Sequence, residues 1–269
     1  MLTRRNPSLV VGCAIVAMLA MASALGPILV RVDPLAIDLT HVLAPPSCGH
    51  WLGCDALGRD MLARVLWGAR LSLTVSTTVV LLSLAAGSIV GGAAALAGGR
   101  VDSIVMRLVD VVLAFPGFLL AIALAAILGP GLVDLVVALT AMGWTGYARL
   151  VRGEVLSLRE REYVEAARAL GASPRRLLLR HLLPGLAGPV AVQATFGVGG
   201  IIVAEAALSF LGLGALPPAP SWGNMLDTGR AFMLVAPHLT TAPGVAIGAS
   251  VLGFNLLGDG LARTLGRRA

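Results

Sequence analysis

Five long runs without a charged side chain most strongly limit the folds open to this chain. They cover residues 6–30, 71–99, 111–133, 181–204 and 231–258. Each approaches or exceeds the roughly 20 residues that a helix needs to cross the hydrocarbon core of a bilayer. A sixth run, 132–150, is interrupted only near its ends, by Asp134 and Arg149, whose charges can reach the interface along their own side chains. We therefore predict six membrane-spanning helices.

The composition agrees with a bilayer as the solvent. Hydrophobic residues make up 57% of the 269 residues and charged residues 13%, and the mean hydropathy is +0.90. A soluble domain of this length does not need so much apolar surface. The runs are apolar on all faces, whereas a strand of a membrane β-barrel alternates apolar and polar positions. We predict an all-α, polytopic membrane protein.

The first apolar run follows Arg4 and Arg5, a pattern that it shares with secretory signal peptides. Its uncharged stretch from Leu9 to Val30 is longer than a typical signal-peptide core, and no clear small-x-small cleavage site precedes a mature soluble domain. We therefore interpret this run as a retained first helix.

The distribution of arginine predicts the orientation in the membrane. The chain contains no lysine, and all 20 basic residues are arginine. With the N-terminus inside, 15 of them fall on the inside and five on the outside. The positive-inside rule therefore predicts that both termini are cytoplasmic. This asymmetry accounts for the pI near 10.5, and no nucleic-acid motif accompanies it, so we predict membrane lipid and no nucleic acid among the partners.

Three cysteines, Cys13, Cys48 and Cys54, occur in the chain. Cys13 lies in the first predicted helix, where a cysteine serves as a small apolar side chain. Cys48 and Cys54 fall in the predicted outside loop, and an oxidising compartment permits a disulfide between them. His50 lies between these two cysteines, but a fourth metal ligand is missing. The disulfide stays an open alternative, and we predict no metal site.

A polar, arginine-rich segment, residues 149–184, separates the apolar runs and is the most informative part of the chain. Arg159 to Leu170 is expected to form a helix that ends at Gly171, a residue type common at helix C-caps. A membrane protein has little reason to build short charged helices unless something soluble docks on them. The segment therefore indicates one part of a larger assembly.

A second short helix is expected directly after that turn. Ser173 is a candidate N-cap and Pro174 is suited to the first helical position. We expect this helix to continue to Leu183 and to be broken by Pro184 and Gly185 before the fifth span. The predicted product is a helix-turn-helix lying along the cytoplasmic surface.

Pro116 and Gly117 interrupt the third predicted span, and glycines and prolines recur in the others. One interpretation is ordinary membrane packing, in which small residues let helices approach closely. The other is a set of kinks that open a translocation path. The sequence leaves both open.

Glu205 is the clearest ionisable residue inside a predicted span, and Ser209 follows it one helical turn later. Ionisable residues in a membrane are costly and are therefore functional candidates. One hypothesis places both residues on the translocation path. The alternative is a structural carboxylate paired with a neighbouring helix or lying at the interface.

The arginine-rich segment resembles the EAA loop of permease subunits of ABC-type importers. Glu165, Ala166 and Ala167 are followed after three residues by Gly171, and after nine more by His181-Leu-Leu-Pro184. In that family this loop is the coupling helix that seats in a cleft of the ATP-binding subunit. The resemblance therefore implies an ATPase-coupling role for Glu165, Ala166, Ala167, Gly171, Ser173, Pro174 and Pro184. One departure is His181, where the family commonly has an aliphatic residue.

Other segments resemble the C-type permease of the dipeptide, oligopeptide and nickel group. They are residues 50–60, 70–73, 208–214, 218–223 and 255–261. Cys54 departs from this group, which usually has threonine there. The resemblance implies the type I ABC importer permease fold, with peptides as the first expected cargo and nickel or a metal chelate as the alternative. It further implies three regions: a first helix and outside loop (1–70), a five-helix core with a coupling loop at 152–185 (71–259), and a cytoplasmic tail (260–269).

The resemblance also implies a multi-pass location in a bacterial inner membrane and a division of labour among subunits. In the family the permease pairs with a homologous second permease, binds two ATP-binding subunits, and receives substrate from an external binding protein. A phosphate-binding P-loop ends in Lys-Ser/Thr, and this chain has no lysine. We therefore expect ATP and Mg²⁺ on partner subunits, with no catalytic residue and no cofactor in this chain.

Two other classes of function were weighed. An intramembrane enzyme needs paired carboxylates, a Ser/His dyad or a metal cluster, and Glu205 has no obvious partner at helical spacing. An ion-coupled transporter that works alone is expected to carry buried charge networks. The uncharged second and sixth predicted helices, in the runs 71–99 and 231–258, and the loop from Glu165 to Pro184 argue against this class.

Overall fold

The computed structural model describes residues 6–30 and 32–265, and helices form nearly all the regular structure of this part. No strand occurs in these residues beyond an isolated bridge between Cys54 and Asp60. The α-helices are α1 (Pro7–Leu29), α2 (Met61–Ala97), α3 (Gly99–Ala114), α4 (Gly117–Leu128), α5 (Leu132–Arg159), α6 (Glu162–Ala169), α7 (Pro174–Leu177), α8 (Leu183–Phe210), α9 (Trp222–Arg230) and α10 (His238–Leu265). A 3-10 turn covers Leu39–His41 and a π-helical segment covers Leu178–Leu182. The predicted all-α class is confirmed.

Length and apolar composition identify four stretches of the described chain that suffice to cross a membrane. They are Pro7–Gly26, Met61–Ala97, Arg180–Phe210 and His238–Leu265. A fifth crossing results if α3 and α4 are counted as one span. Helix α5 is long enough, at 28 residues, but carries more polar and charged side chains. The prediction of six spans is compatible with this set and is not confirmed by it.

The third predicted span, 111–133, is divided between two helices at the predicted interruption, Pro116 and Gly117. α3 and α4 meet at an angle of 87°. Phe115 between them is extended, with φ −80° and ψ 141°, because the ring of Pro116 disfavours helical geometry in the residue before it. Arg152 of α5 forms an ion pair with Asp102 of α3, with Nη2 and Oδ2 2.6 Å apart. The charged first part of α3 is thus tied to α5, and only the second part of the apolar run forms α4.

Helix α2 begins at Met61, within the segment predicted as an outside loop. Asp60 caps it, because its carboxylate oxygen Oδ1 accepts a hydrogen bond from the Ala63 amide at 2.8 Å. The helix then continues through Arg64 and Arg70 into the second apolar run without a break. The predicted division of the chain at residue 70 stays a prediction.

The most extensive helix contact joins α2 to α5 and includes small residues. Gly87 and Gly91 of α2 are one turn apart and lie against the backbone carbonyls of Trp144 and Ala148. A side chain at either glycine would collide with that backbone. The Gly-x-x-x-Gly spacing thus lets two membrane helices approach closely, which supports the packing interpretation of these glycines.

We expect Gly91→Ala to destabilise this contact, with Gly92→Ala as the matched control. An added Cβ at Gly91 collides with the Ala148 carbonyl, whereas at Gly92 its nearest neighbour is Cγ1 of Val151 at 4.0 Å. Both changes raise helix propensity equally, so the difference in stability between the two variants is due to the clash at Gly91. We expect the clash to lower the free energy of unfolding by about 1–3 kcal/mol. Thermal unfolding of the detergent-purified protein measures it. Equal melting temperatures for the two variants would contradict the tight α2–α5 contact.

Both ends of the described chain lie at the end of the helix bundle that carries α6 and α7. The Asn6 side-chain nitrogen Nδ2 donates to the Gly260 carbonyl at 3.0 Å, so the start of α1 lies beside the last turns of α10. Leu265 in turn lines a cavity together with Pro184 at the start of α8. The predicted topology puts both termini and the charged segment on one side, and this arrangement is compatible with it. That this side is cytoplasmic stays a prediction.

Candidate functional site

The first short helix of the arginine-rich segment begins later than predicted. The sequence predicts a helix from Arg159, but α5 continues to Arg159 and α6 runs from Glu162 to Ala169. Arg159 belongs to α5 because its guanidinium nitrogen Nη1 donates to the Ala95 carbonyl at the end of α2, 2.7 Å away. This long-range hydrogen bond holds the base of the segment against the bundle.

The turn after α6 has the geometry predicted for a glycine C-cap. Gly171 has φ +82°, a left-handed conformation that favours glycine. The Ala172 amide donates to the Ala167 carbonyl at 3.0 Å, which is the long hydrogen bond of a Schellman motif. An added Cβ at Gly171 would meet no atom within 4 Å, so the constraint lies in the backbone alone.

The second short helix also starts as predicted. α7 begins at Pro174, and the hydroxyl oxygen of Ser173 accepts a hydrogen bond from the Arg176 amide at 3.4 Å. The Ser173 carbonyl accepts the Leu177 amide at 2.9 Å. Ser173 is therefore the N-cap, and the turn between α6 and α7 is short and closed at both sides by hydrogen bonds.

The predicted break at Pro184 and Gly185 is wrong. α7 passes through the π-helical segment 178–182 directly into α8, so the chain is helical from Pro174 to Phe210. Pro184 lies in the first turn of α8, where the missing N–H of a proline is tolerated. The π turn before Pro184 is wider than an α turn, so it relieves the clash of the proline ring with the carbonyl four residues earlier. α7 is therefore joined to α8 without an intervening loop.

One face of α6, the turn and α7 packs on the bundle. We call residues 162–182, from α6 to the end of the π segment, the α6–α7 hairpin. Val164, Leu177 and Leu182 of the hairpin are buried. They pack in one cluster with Ala95 of α2, with residues of α5 and with Leu186 of α8. The hairpin is thus seated at the ends of three long helices.

The opposite face of the hairpin has no partner among the described residues. Glu165 and Ala166 are exposed on the outer side of α6. Tyr163 is 47% exposed and Leu170, at the turn, is 89% exposed. A small-residue patch flanked by a carboxylate and two apolar side chains is a surface suited to another protein.

A separate polar cluster lies near the far end of α8. Pro184 and Glu205 are about 30 Å apart along the helix at 1.5 Å per residue. Glu205 is completely buried, and its oxygen Oε2 accepts a hydrogen bond from the Ser72 hydroxyl of α2 at 2.7 Å. Its oxygen Oε1 accepts the Ser209 hydroxyl at 2.9 Å. The hairpin residues and the Glu205 cluster are therefore two sites, one at each end of the same helix.

Sequence reasoning missed Ser72 as the partner of Glu205. The two residues are 133 positions apart. A single serine in an apolar helix does not indicate from the sequence which residue it contacts. Ser209 is also held from the other side, because its hydroxyl oxygen accepts the Ala215 amide at 3.4 Å. Both carboxylate oxygens of Glu205 are thus satisfied inside this chain. Its place on a translocation path stays a prediction.

The loop before α2, residues 32–60, is built around two aspartates, Asp55 and Asp60. Asp55 accepts the Leu57 amide at 2.8 Å and the Arg59 side-chain nitrogen Nε at 2.6 Å. Asp60 pairs through Oδ2 with Nδ1 of His50 at 2.9 Å. Gly58 has φ +72° and lies against the Asp38 backbone. The loop is a packed unit rather than an open chain.

The two loop cysteines are free thiols in this structure, so the open alternative of a disulfide is not realised here. Cys48 is exposed and Cys54 is fully buried. Burial, followed by the nearby Asp60 and Asp55 carboxylates, raises the pKa of the Cys54 thiol to about 11. Cys54 therefore remains a neutral thiol at physiological pH.

Comparison with known proteins places this geometry in a family. Residues 61–269 match the profile of the family described as "Binding-protein-dependent transport system inner membrane component". The glutathione transport system permease protein GsiD of Pectobacterium atrosepticum is 46% identical over 224 residues, which cover 83% of this chain and 74% of that protein. The protein of the same name from Escherichia coli O157:H7 is 47% identical over the same shares.

A solved structure supports the same fold independently of sequence. An inward-facing MetNI methionine ABC transporter contains a chain that superposes with a TM-score of 0.64 at 19% identity. The superposition covers 76% of this chain and 97% of that one. The predicted importer-permease fold is confirmed.

Proposed function

This chain belongs to the family of binding-protein-dependent transport system inner membrane components, and we propose that it is one of two permease subunits of an ATP-driven importer of short peptides. The family establishes a transport permease in the inner membrane. The proposal adds the cargo class, the partner subunits and the route by which ATP hydrolysis drives the helices.

The exposed face of the α6–α7 hairpin carries this proposal. It presents Glu165, Ala166 and Leu170 to solvent at the end of a membrane bundle, and its other face is anchored to α2, α5 and α8. We assign this face to the cleft of an ATP-binding subunit. Because α7 continues into α8 without a loop, movement of the hairpin tilts α8, which is the kind of rigid-body motion that alternating access needs.

ATP and Mg²⁺ belong to the partner subunits in this proposal. The chain has no lysine and therefore lacks the residue that a P-loop places on the phosphates. Two ATP-binding subunits act on two permeases, this chain and a homologous second one, and an extracytoplasmic binding protein delivers the cargo. The hairpin side is then cytoplasmic, together with both termini, in agreement with the arginine distribution.

The names of the relatives favour peptides over nickel as cargo. Those relatives, at 46–47% identity, are permeases of glutathione transport systems, and glutathione is a tripeptide. At this level of identity the similarity supports the class of short peptides rather than one compound.

Reconstitution tests the proposal. The chain is co-expressed with the proteins encoded beside its gene, and the purified complex is placed in proteoliposomes. Uptake and ATPase activity are then measured with glutathione, dipeptides, longer peptides and nickel, each with the binding protein. Peptide-dependent uptake and ATPase stimulation are expected. Stimulation by nickel alone would replace the cargo assignment with the alternative, and a complex in which no ATPase subunit copurifies would overturn the coupling assignment.

Docking on the hairpin is tested in the same preparation with Glu165→Lys. Glu165 is exposed, and among the described side chains it has no hydrogen bond or ion pair, so the variant is expected to fold and insert normally. Reversal of its charge on a docking face is expected to reduce copurification of the ATPase subunit. Glu160→Lys, on the exposed link before α6, is the matched control and is expected to copurify the ATPase subunit as wild type does.

A further inference from the structure

A cavity of about 690 Å³ opens beside the α6–α7 hairpin, between α5, the start of α8 and the end of α10. This volume lies in the range of small-molecule binding sites, about 300–1,000 Å³. Leu158, Phe196 and Leu265 form apolar walls. The cavity is separate from the hairpin's docking face and from the Glu205 cluster, and the proposed function assigns it no role.

Three polar side chains line the same cavity: Glu154, Arg161 and Gln193. Among the side chains that the structure describes, none of the three forms an ion pair or a hydrogen bond. Two ion pairs form near this end of the bundle, between Asp102 and Arg152 and between Asp110 and Arg149, and neither includes a residue of the cavity. An acid and a base that share one cavity without pairing to each other offer two separate points of opposite charge to a ligand.

The backbone adds a further acceptor. Pro189 lies inside α8 and has no N–H to donate to the carbonyl of Gly185, which lines the cavity. Helix α8 is therefore missing its usual hydrogen bond at a place where a ligand's N–H group can supply one.

We propose that this cavity is a subsite for a zwitterionic short peptide on the hairpin side of the permease. Arg161 binds the terminal carboxylate, Glu154 binds the terminal ammonium group, and Gln193 with the Gly185 carbonyl binds the peptide amide. The apolar walls hold a side chain. This inference rests on the proposed peptide cargo and deepens it, because it names the chemical groups of the cargo that the permease itself recognises on the side where cargo leaves.

Binding to the complete nucleotide-free complex in nanodiscs tests the subsite. The probes are alanyl-leucine, its N-acetyl form, its C-terminal amide and glutathione, measured by titration calorimetry. Alanyl-leucine is expected to bind, and Glu154→Gln and Arg161→Gln are each expected to weaken it about tenfold, the usual loss for one charge-assisted hydrogen bond. Glu160→Gln and Arg107→Gln, at exposed positions outside the cavity, are the charge-matched controls and are expected to bind as wild type does.

The modified peptides identify which end each residue binds. N-acetylation removes the ammonium group, so Glu154→Gln is expected to have no further effect on the N-acetyl peptide. The same reasoning applies to Arg161→Gln and the C-terminal amide. Gly188→Leu provides a variant without change of charge, because Cβ at Gly188 meets only Leu265 at ordinary contact distance and a leucine there projects into the cavity and blocks the space between its polar groups. It is expected to abolish binding of every probe.

Two outcomes would overturn the subsite. One is wild-type affinity in all three cavity variants, and the other is the absence of peptide binding in the assembled complex, which would mean that a partner subunit fills the cavity. Uptake in the same preparation separates this inference from the proposed function. If peptides are taken up but the cavity variants bind them as wild type does, only the subsite is contradicted. If nickel is taken up and peptides are not, both the subsite and the proposed peptide cargo are contradicted.

Discussion

Replacing Gly171 with valine is expected to uncouple ATP hydrolysis from transport while the chain still folds and inserts. Gly171 has φ +82°, which costs a residue with a side chain about 1–2 kcal/mol, and a β-branched residue more. The surrounding space is empty, so the cost is relieved by opening the turn between α6 and α7. If the docking-competent conformation of the hairpin is destabilised by about 1–2 kcal/mol, its population relative to the open conformation falls about 5- to 30-fold. ATPase stimulation by loaded binding protein is expected to fall by this factor.

Gly212→Val is the matched control for this experiment. Gly212 has φ +78°, follows the C-terminus of α8, and likewise has no atom within 4 Å of an added Cβ. It carries the same backbone strain at the opposite end of the helix. Both variants are expected to lose similar thermal stability, but only the Gly171 variant is expected to lose stimulated ATPase activity and uptake. Equal loss in both would show that strain anywhere in the chain has this effect and would defeat the coupling role.

Replacing Glu205 with alanine is expected to destabilise the permease by about 2–4 kcal/mol. The substitution leaves a cavity in the core and removes the acceptor of two buried hydroxyl groups, those of Ser72 and Ser209. The contact between α2 and α8 is weakened as a result. Thermal unfolding in detergent and the yield of monodisperse protein are the measurements. A melting temperature equal to that of the wild type would contradict the structural role of this cluster.

Glu205→Gln separates a structural carboxylate from a cargo ligand. The amide preserves the volume, its oxygen accepts one serine hydroxyl, and its NH₂ group can donate to the other serine oxygen. If Glu205 only joins α2 to α8, this variant is expected to melt within a few degrees of the wild type and to transport normally. Normal stability with lost uptake would instead place Glu205 on the translocation path, as the sequence-based hypothesis has it.

The short helices show how far local sequence could predict this fold. Gly171, Ser173 and Pro174 were predicted as a C-cap, an N-cap and a first helical residue, and all three have that geometry. Caps depend on backbone groups within a few residues, so sequence is enough to recognise them. The break predicted at Pro184 was wrong. A π-helical turn accommodates the proline ring, and packing against α5 stabilises the continuous helix.

The sequence by itself determined the all-α membrane class and the exposed, charged hairpin, because apolar length, arginine content and capping residues act locally. Only the tertiary structure decided the rest. The Ser72–Glu205 hydrogen bond and the cavity shared by Glu154 and Arg161 depend on helices that lie apart in the sequence. Pro116 marks the break after α3 locally, but the 87° angle between α3 and α4 depends on how the helices pack. The physical reason is that a contact between two helices depends on their relative placement in space. A hydropathy pattern records which residues avoid water and contains no information on which helices they meet.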